Sequence, residues 1–307
     1  MRNPNPEMLC FVGEADACAM ATEYLKKTEL HVEREALTFQ RYVCHPRHQS
    51  FAGQYTDDTE MSCAVARVLI AHPPPYTNLE FADAFVAEFI RGGKREGYNQ
   101  GFYSVLKDFK NGEDFLRVIK PDSDKNGAAM RAMPIGVLPR VEDVLSVATF
   151  QATVTHDTPP GRFSSRAVAL MSHFTLYEGG STHRNASFKR YLLAHLPPED
   201  QQFFHLFAEW RGPVTNKPIP VSLATVGAVY HVLTSNPTLM PMLRHAIKLR
   251  GDTDSVAAIV WGIASAIPLA RNAPRPAFLE RDLEKGDPRT GAVYLRDLGE
   301  QLMRAYM

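Results

Sequence analysis

The sequence predicts a single, nearly all-α domain over residues 1–307, and three observations carry that expectation. Apolar residues recur at helical spacing in segment after segment, between Gly, Pro and Asn breaks. No repeat, low-complexity tract or linker divides the chain. Two short segments rich in acids and hydroxyls, around Asp57 and Asp252, each open an apolar helix, so both must fold into one core.

Taken in order, residues 7–27 read as one helix in which Ala15, Ala17, Ala19 and Ala21 permit close packing. Acids on such a helix, Glu14, Asp16 and Glu23, are either exposed or functional, and periodicity leaves both open. Residues 28–54 read as irregular, with a short strand expected at 37–43. Cys63, Ala66, Leu69 and Ile70 mark the helix after Asp57, which Pro73-Pro74-Pro75 closes. Phe81, Phe85 and Phe89 form the stripe of the next helix, a core pattern, and Gly92-Gly93 ends it. Residues 97–101 form a loop; residues 120–127 form another, opening a helix over 128–133. Residues 141–151 read as helix. Thr155-His156-Asp157-Thr158-Pro159-Pro160-Gly161 interrupts it before a helix carrying Ala167, Leu170, Met171 and Phe174. Loops over 179–186 and 211–221, two helices between Ser222 and Lys248, and a last helix over 291–306 complete the pattern.

Composition bounds the function. The 307 residues are 45% hydrophobic with formal net charge zero, the profile of an ordinary globular protein. Zero net charge argues against electrostatic capture of nucleic acid or an anionic membrane. No apolar run approaches the ~20 residues needed to span a bilayer, and no basic-then-apolar leader opens the chain. Cys10, Cys18, Cys44 and Cys63 lack CxxC spacing and make no disulfide framework, so a reducing, cytoplasmic setting is expected.

The chemistry concentrates in the acid motifs. In Arg250-Gly251-Asp252-Thr253-Asp254-Ser255, either Asp254 or Ser255 is the expected N-cap of a helix with nothing polar before Ser265. A plain N-cap in a solvated loop explains such a motif by itself. A second copy, Tyr55-Thr56-Asp57-Asp58-Thr59-Glu60, shifts the balance: unpaired carboxylates on two buried helices either protonate or bind a cation. Oxygen-only donors point to magnesium, manganese or calcium rather than zinc. The loop before Ala128 also offers free backbone N–H groups suited to phosphate, though a simple helix start reads the same way. His156 before Pro159-Pro160 reads equally as a surface turn.

Four motifs, in this order, resemble the ADP-ribosylglycohydrolase family, which includes dinitrogenase-reductase-activating glycohydrolase and the mammalian ADP-ribosylhydrolases. Asp16-Ala17-Cys18-Ala19-Met20-Ala21-Thr22-Glu23 is similar to the family's opening Gly-Asp-Ala-x-Gly-x-x-x-Glu, with Ala15 and Ala19 in place of glycines. Thr56-Asp57-Asp58-Thr59, Asn126-Gly127-Ala128-Ala129-Met130-Arg131 and Gly251-Asp252-Thr253-Asp254-Ser255 match the others. Lys125, Arg250 and Ser255 depart from the common pattern; Ser255 keeps the oxygen donor.

The resemblance implies an orthogonal all-α bundle with a cleft for two magnesium or manganese ions. It implies Thr56, Asp57, Asp58, Asp252, Asp254 and Ser255 as metal ligands, and Glu23 as the acid beside them. Asp57, Asp58 and Glu23 form the catalytic set, with Asp58 or Glu23 activating water. It implies Ser123, Asn126 and Gly127 as diphosphate-binding and His156 near the ligand; Lys125, where many members have Gly, can pair its ammonium with phosphate, and Tyr98 joins the substrate-binding set. Residues 127–133 and 155–161 look closest to the ADP-ribosylarginine hydrolase branch, so the expected partner is a protein carrying ADP-ribosylarginine. The alternatives are another linkage (ADP-ribosylserine or O-acetyl-ADP-ribose), or a non-catalytic ADP-ribose binder or immunity protein whose partner is a cognate ADP-ribosyltransferase toxin.

Overall fold

At the centre lie two helices with no exposed face, α1 (Met8–Ala19) and α14 (Thr253–Ala264), packed against each other. The computed structural model describes residues 3–95 and 97–307. In chain order the remaining helices are α2 (Leu30–Ala36), α3 (Asp57–Ala71), α4 (Asn78–Arg91), α5 (Gln100–Leu106), α6 (Gly112–Val118), α7 (Gly127–Met130), α8 (Val141–Thr153), α9 (Pro159–His173), α10 (Ala186–His195), α11 (Leu206–Glu209), α12 (Val221–Ser235), α13 (Leu239–Leu249), α15 (Pro268–Arg271), α16 (Phe278–Arg281) and α17 (Ala292–Tyr306). The described residues hold no strand, only isolated bridges pairing Asp122 with His156 and Val214 with Gly251. The all-α expectation therefore holds.

Local chemistry explains the long helices. α4 opens on a reciprocal cap, Glu80 N–H donating to Thr77 Oγ1 at 3.3 Å and Thr77 N–H to Glu80 Oε2 at 2.6 Å, and its Phe81, Phe85 and Phe89 stripe is fully buried. α9 has Pro159 in its first turn, where no N–H is missed, and Thr158 Oγ1 accepts from Gly161 N–H at 3.2 Å. α3 packs on α1, α4 and α17, and α12 and α13 flank α14. The buried apolar side chains form one continuous cluster from Met8 to Met303.

Four expectations fail. The helix expected over 7–27 ends at Ala19 and gives way to a 3₁₀ turn over Met20–Thr22. The Ala19 carbonyl accepts from the hydroxyls of Thr22 (2.8 Å) and Thr253 (3.0 Å), so the chain leaves the helix with that acceptor satisfied. Residues 28–54 are not all irregular, because α2 forms with Val32 and Ala36 buried. Residues 37–43 make no strand: Phe39 sits at φ 50°, and Tyr42 turns inward to donate to Leu279 O at 2.5 Å. Neither Asp254 nor Ser255 caps α14; Asp252 does.

Candidate metal and substrate cleft

α1, α3 and α14 bring their acids to one place. Asp16, near the end of α1, accepts from Thr56 N–H, Thr56 Oγ1 (2.9 Å), Thr59 N–H and Thr59 Oγ1 (2.6 Å), locking α1 to the start of α3. Thr56 Oγ1 also lies 3.1 Å from Asp58 Oδ2. Ligand oxygens of Asp16, Asp58 and Asp254 all lie within 4.8 Å of one another, and so do those of Glu23, Asp252 and Asp254. Asp254 belongs to both groups, so two cation positions would share it. Among the described residues no arginine or lysine pairs with any of these acids; Glu23 has an imidazole nearby, His48 Nε2 at 3.8 Å.

Electrostatics point the same way. Burial pushes Asp16 up to about 6. Burial raises Asp57, Asp58, Asp254 and Glu23 well above the usual carboxylate range, and charge from neighbouring carboxylates adds to it. Asp252 is raised less, because Ser255, Asp254 and Asn126 hydrogen-bond it against the cost of burial. Two buried oxygens, Asp58 Oδ1 and Asp254 Oδ1, have no hydrogen-bond partner. A cluster of oxygen donors with no arginine or lysine partner among the described residues, and two oxygens unpartnered, fits hard divalent cations.

Backbone devices hold the second motif. Gly251, at φ 82°, lies against Val214; a Cβ there would sit 1.9 Å from Val214 O. Val214 brackets the turn, receiving Asp252 N–H on its carbonyl at 2.9 Å and donating its N–H to Arg250 O at 3.1 Å. Tyr24 N–H donates to Gly251 O at 2.9 Å, and that contact pulls the chain out of α1 and leaves Glu23 extended at φ −62°, ψ 127°. His45 Nε2 lies 3.0 Å from Glu23 O and Arg47 Nη2 donates to Tyr24 O at 2.9 Å, so the 45–48 loop fixes the Glu23 turn.

Glu23, Asp57, Asp58, Asp252 and Asp254 floor a cavity of about 780 Å³, with Asp16 behind them. Its other wall carries Ser123, Lys125, Asn126, Gly127, Arg131 and His156. Asn126 joins the two halves, its Nδ2 donating to Asp252 Oδ2 at 3.1 Å and Thr225 Oγ1 at 3.2 Å. The helix expected over 128–133 is a single turn, α7, followed by 3₁₀ structure over Met133–Val137.

The family described as ADP-ribosylglycohydrolase matches residues 10–271. The chain belongs to the ADP-ribosylglycohydrolase family. It is 30% identical to ADP-ribosylhydrolase ARH3 of Homo sapiens over 151 residues, a stretch that spans 46% of this chain and 40% of that protein's length. A solved ADP-ribosylglycohydrolase-related protein complex shares the fold, with TM-score 0.73 at 19% identity over 98% of each chain.

Of the site residues expected for an ADP-ribosylglycohydrolase, Glu23, Asp57, Asp58, Tyr98, Ser123, Lys125, Asn126, Gly127, His156, Asp252, Asp254 and Ser255 all line the cavity. Thr56 lies behind them, its hydroxyl between Asp16 and Asp58. Asp57 faces the cavity but falls outside both carboxylate groups, and Asp16 takes a place the ligand set did not foresee. Tyr98 spends its hydroxyl on Glu60 Oε2 at 2.6 Å, so that hydroxyl points away from any ligand. His156 is buried, not part of a surface turn. The sequence reading also missed Arg131 and Thr155 as wall residues; Arg131 was visible only as the last residue of the Asn126 motif. Among the described residues, no helix is long and apolar enough to cross a membrane.

Proposed function

We propose that this ADP-ribosylglycohydrolase removes ADP-ribose from a protein side chain, with two magnesium or manganese ions held by Asp16, Asp58 and Asp254 and by Glu23, Asp252 and Asp254. Thr56, Asp57 and Ser255 complete the donor set. The observation that carries the reading is the pair of carboxylate triads sharing Asp254, with two oxygens left unpartnered. Bound there, such ions supply fixed positive charge that holds ribose hydroxyls and acidifies a water.

The protein's own groups do the rest. Ser123, Asn126, Gly127 and Lys125 receive the diphosphate, which orients the ribose over the acids. Glu23, on an extended turn rather than a helix, faces the cavity and orients and deprotonates the attacking water. The water oxygen bonds to the anomeric carbon as the bond to the acceptor breaks, and the proton that Glu23 takes from the water passes to the departing acceptor. Asp58, more deeply buried, is the alternative base.

Arginine is the proposed acceptor, resting on the likeness of residues 127–133 and 155–161 to that branch. A second reading, an oxygen-linked ADP-ribose such as ADP-ribosylserine or O-acetyl-ADP-ribose, is favoured by Arg47, Lys120 and Lys125 lining the cavity, which do not attract a guanidinium. A third reading, tight binding without turnover, suits a partner toxin. Incubating the protein with labelled ADP-ribosylarginine and ADP-ribosylserine proteins, with and without magnesium, separates them. Magnesium-dependent release from arginine supports the first, release from serine alone the second, and binding without release the third.

A further inference from the structure

We infer that Arg131 and Thr155 are positioning residues that force His156 into one tautomer, so that its Nε2–H is a fixed hydrogen-bond donor into the cleft. The inference rests on the proposed function for the ligand that receives the bond, and on bond counting for the tautomer.

One end of this chain of hydrogen bonds is a carbonyl oxygen, which can only accept. Ala148 O accepts from Ser165 Oγ at 2.7 Å, so the Ser165 hydroxyl proton is spent there. Ser165 Oγ must then accept from Gln151 Nε2 at 2.6 Å, and the same amide nitrogen donates to Ala128 O at 2.8 Å. That sets the Gln151 amide, and its Oε1 accepts from Arg131 Nε at 2.6 Å. Arg131 is fully buried, has no carboxylate partner among the described residues and stacks on Phe85 at 4.3 Å. A guanidinium only donates, so Arg131 Nη2 gives its proton to Thr155 Oγ1 at 2.7 Å.

Thr155 is then decided. Its hydroxyl has one proton, and its remaining neighbour is His156 Nδ1 at 2.6 Å. Were Nδ1 protonated, Thr155 Oγ1 would receive two donors and its own proton would be buried without an acceptor, a cost of about 1–3 kcal/mol. The arrangement that satisfies every group has the hydroxyl donating to a bare Nδ1, leaving the ring proton on Nε2. Nε2 lies in the cleft wall against Gly127, where a Cβ would come within 3.0 Å of it, and no hydrogen bond from the described residues reaches it. Burial, with Arg131 and Lys125 nearby, lowers the imidazole's proton affinity well below its usual value, so the ring remains a neutral single donor. A neutral Nε2–H beside the 123–127 loop would recognise an acceptor oxygen or ring nitrogen of the ADP-ribose moiety.

The test has a readout that needs no activity. In protein labelled with 15N-histidine, with His156→Gln assigning the signal among the 11 histidines, the expected spectrum shows an unprotonated Nδ1 and a protonated Nε2. A protonated Nδ1 overturns the inference. In Thr155→Val the tautomer preference should be lost and the KM for ADP-ribosylated substrate, with the Kd for ADP-ribose, should rise about tenfold, while kcat moves much less. Thr155→Ser, which keeps the hydroxyl, should restore both the spectrum and the affinity. Unchanged affinity in Thr155→Val, or no rescue by Thr155→Ser, also overturns it. If the wild type binds no ADP-ribose, the proposed function fails while the spectrum still decides the tautomer.

Discussion

Glu14, Glu60, Glu88 and Asp200 are as deeply buried as Asp16, Asp58, Asp252 and Asp254, yet among the described residues only the first four face an arginine. Glu60 meets Arg95 Nε at 2.5 Å, and Arg95 reaches on to Glu284 at 2.8 Å. Asp200 receives Arg166 Nε and Nη2 at 2.8 and 2.5 Å. Glu14 meets Arg275 at 3.0 Å, and Glu88 lies between Arg67 and Arg91. The protein thus compensates buried charge internally where the acid is part of the frame. In the cleft, where hydroxyls and amides bind the acids but, among the described residues, no arginine or lysine does, compensation is left to something that arrives from solvent. The contrast separates a structural acid from a ligand without reference to motif.

The largest expected effect breaks the comparison at the cleft. EDTA should abolish hydrolysis of ADP-ribosylated protein, and magnesium or manganese should restore it; rescue by zinc alone would mean that the all-oxygen donor set is misread. Next, Asp254→Asn removes the shared carboxylate and should lower kcat/KM by more than about 100-fold. Its urea midpoint in EDTA should equal or exceed the wild type's, because one repelling charge is gone. A large loss of stability would place Asp254 among the frame acids instead.

The frame acids should behave in the opposite way. Arg95→Ala strands Glu60 and Glu284 in the interior and should cost about 3–5 kcal/mol by urea unfolding, with or without magnesium. A neutral result would erase the distinction between the two classes. The smallest effect concerns pH. Asp16, with its folded-state pKa raised to about 6, holds its proton more tightly folded than unfolded. Its contribution to apoprotein stability is present below about 4 and is lost as pH rises through about 6. Bound cations need ionised carboxylates, so magnesium should reverse that slope. The gap in Tm between magnesium and EDTA should widen as pH rises from about 4 to beyond 6, and a gap that narrows would contradict the assignment.

The acid motifs were legible because they are local: Thr56-Asp57-Asp58 and Asp252-Thr253-Asp254-Ser255 stand at helix starts that helical spacing alone locates. Asp16 stayed outside the ligand set although it stands on the Asp of the opening motif, because helical spacing does not tell it from Glu14, two residues before it. Only the neighbours differ, Thr56 and Thr59 for one and Arg275 for the other. Glu23 was placed on a helix because the Ala-rich run continues past Ala19; a contact from Gly251, far along the chain, unwinds it.

The sequence by itself determined that the chain is helical, that two acid-bearing helices are buried, and that the donors are oxygens. Spacing, side-chain chemistry and the cost of burying charge are properties of short segments. The tertiary structure alone decided which carboxylates share a position, which acids an arginine neutralises, and which ring nitrogen of His156 carries the proton. Each of those is settled by atoms a few ångströms apart in space and tens to hundreds of residues apart in the chain, as when Thr253 and Gly251 end α1 and turn Glu23 toward the cleft.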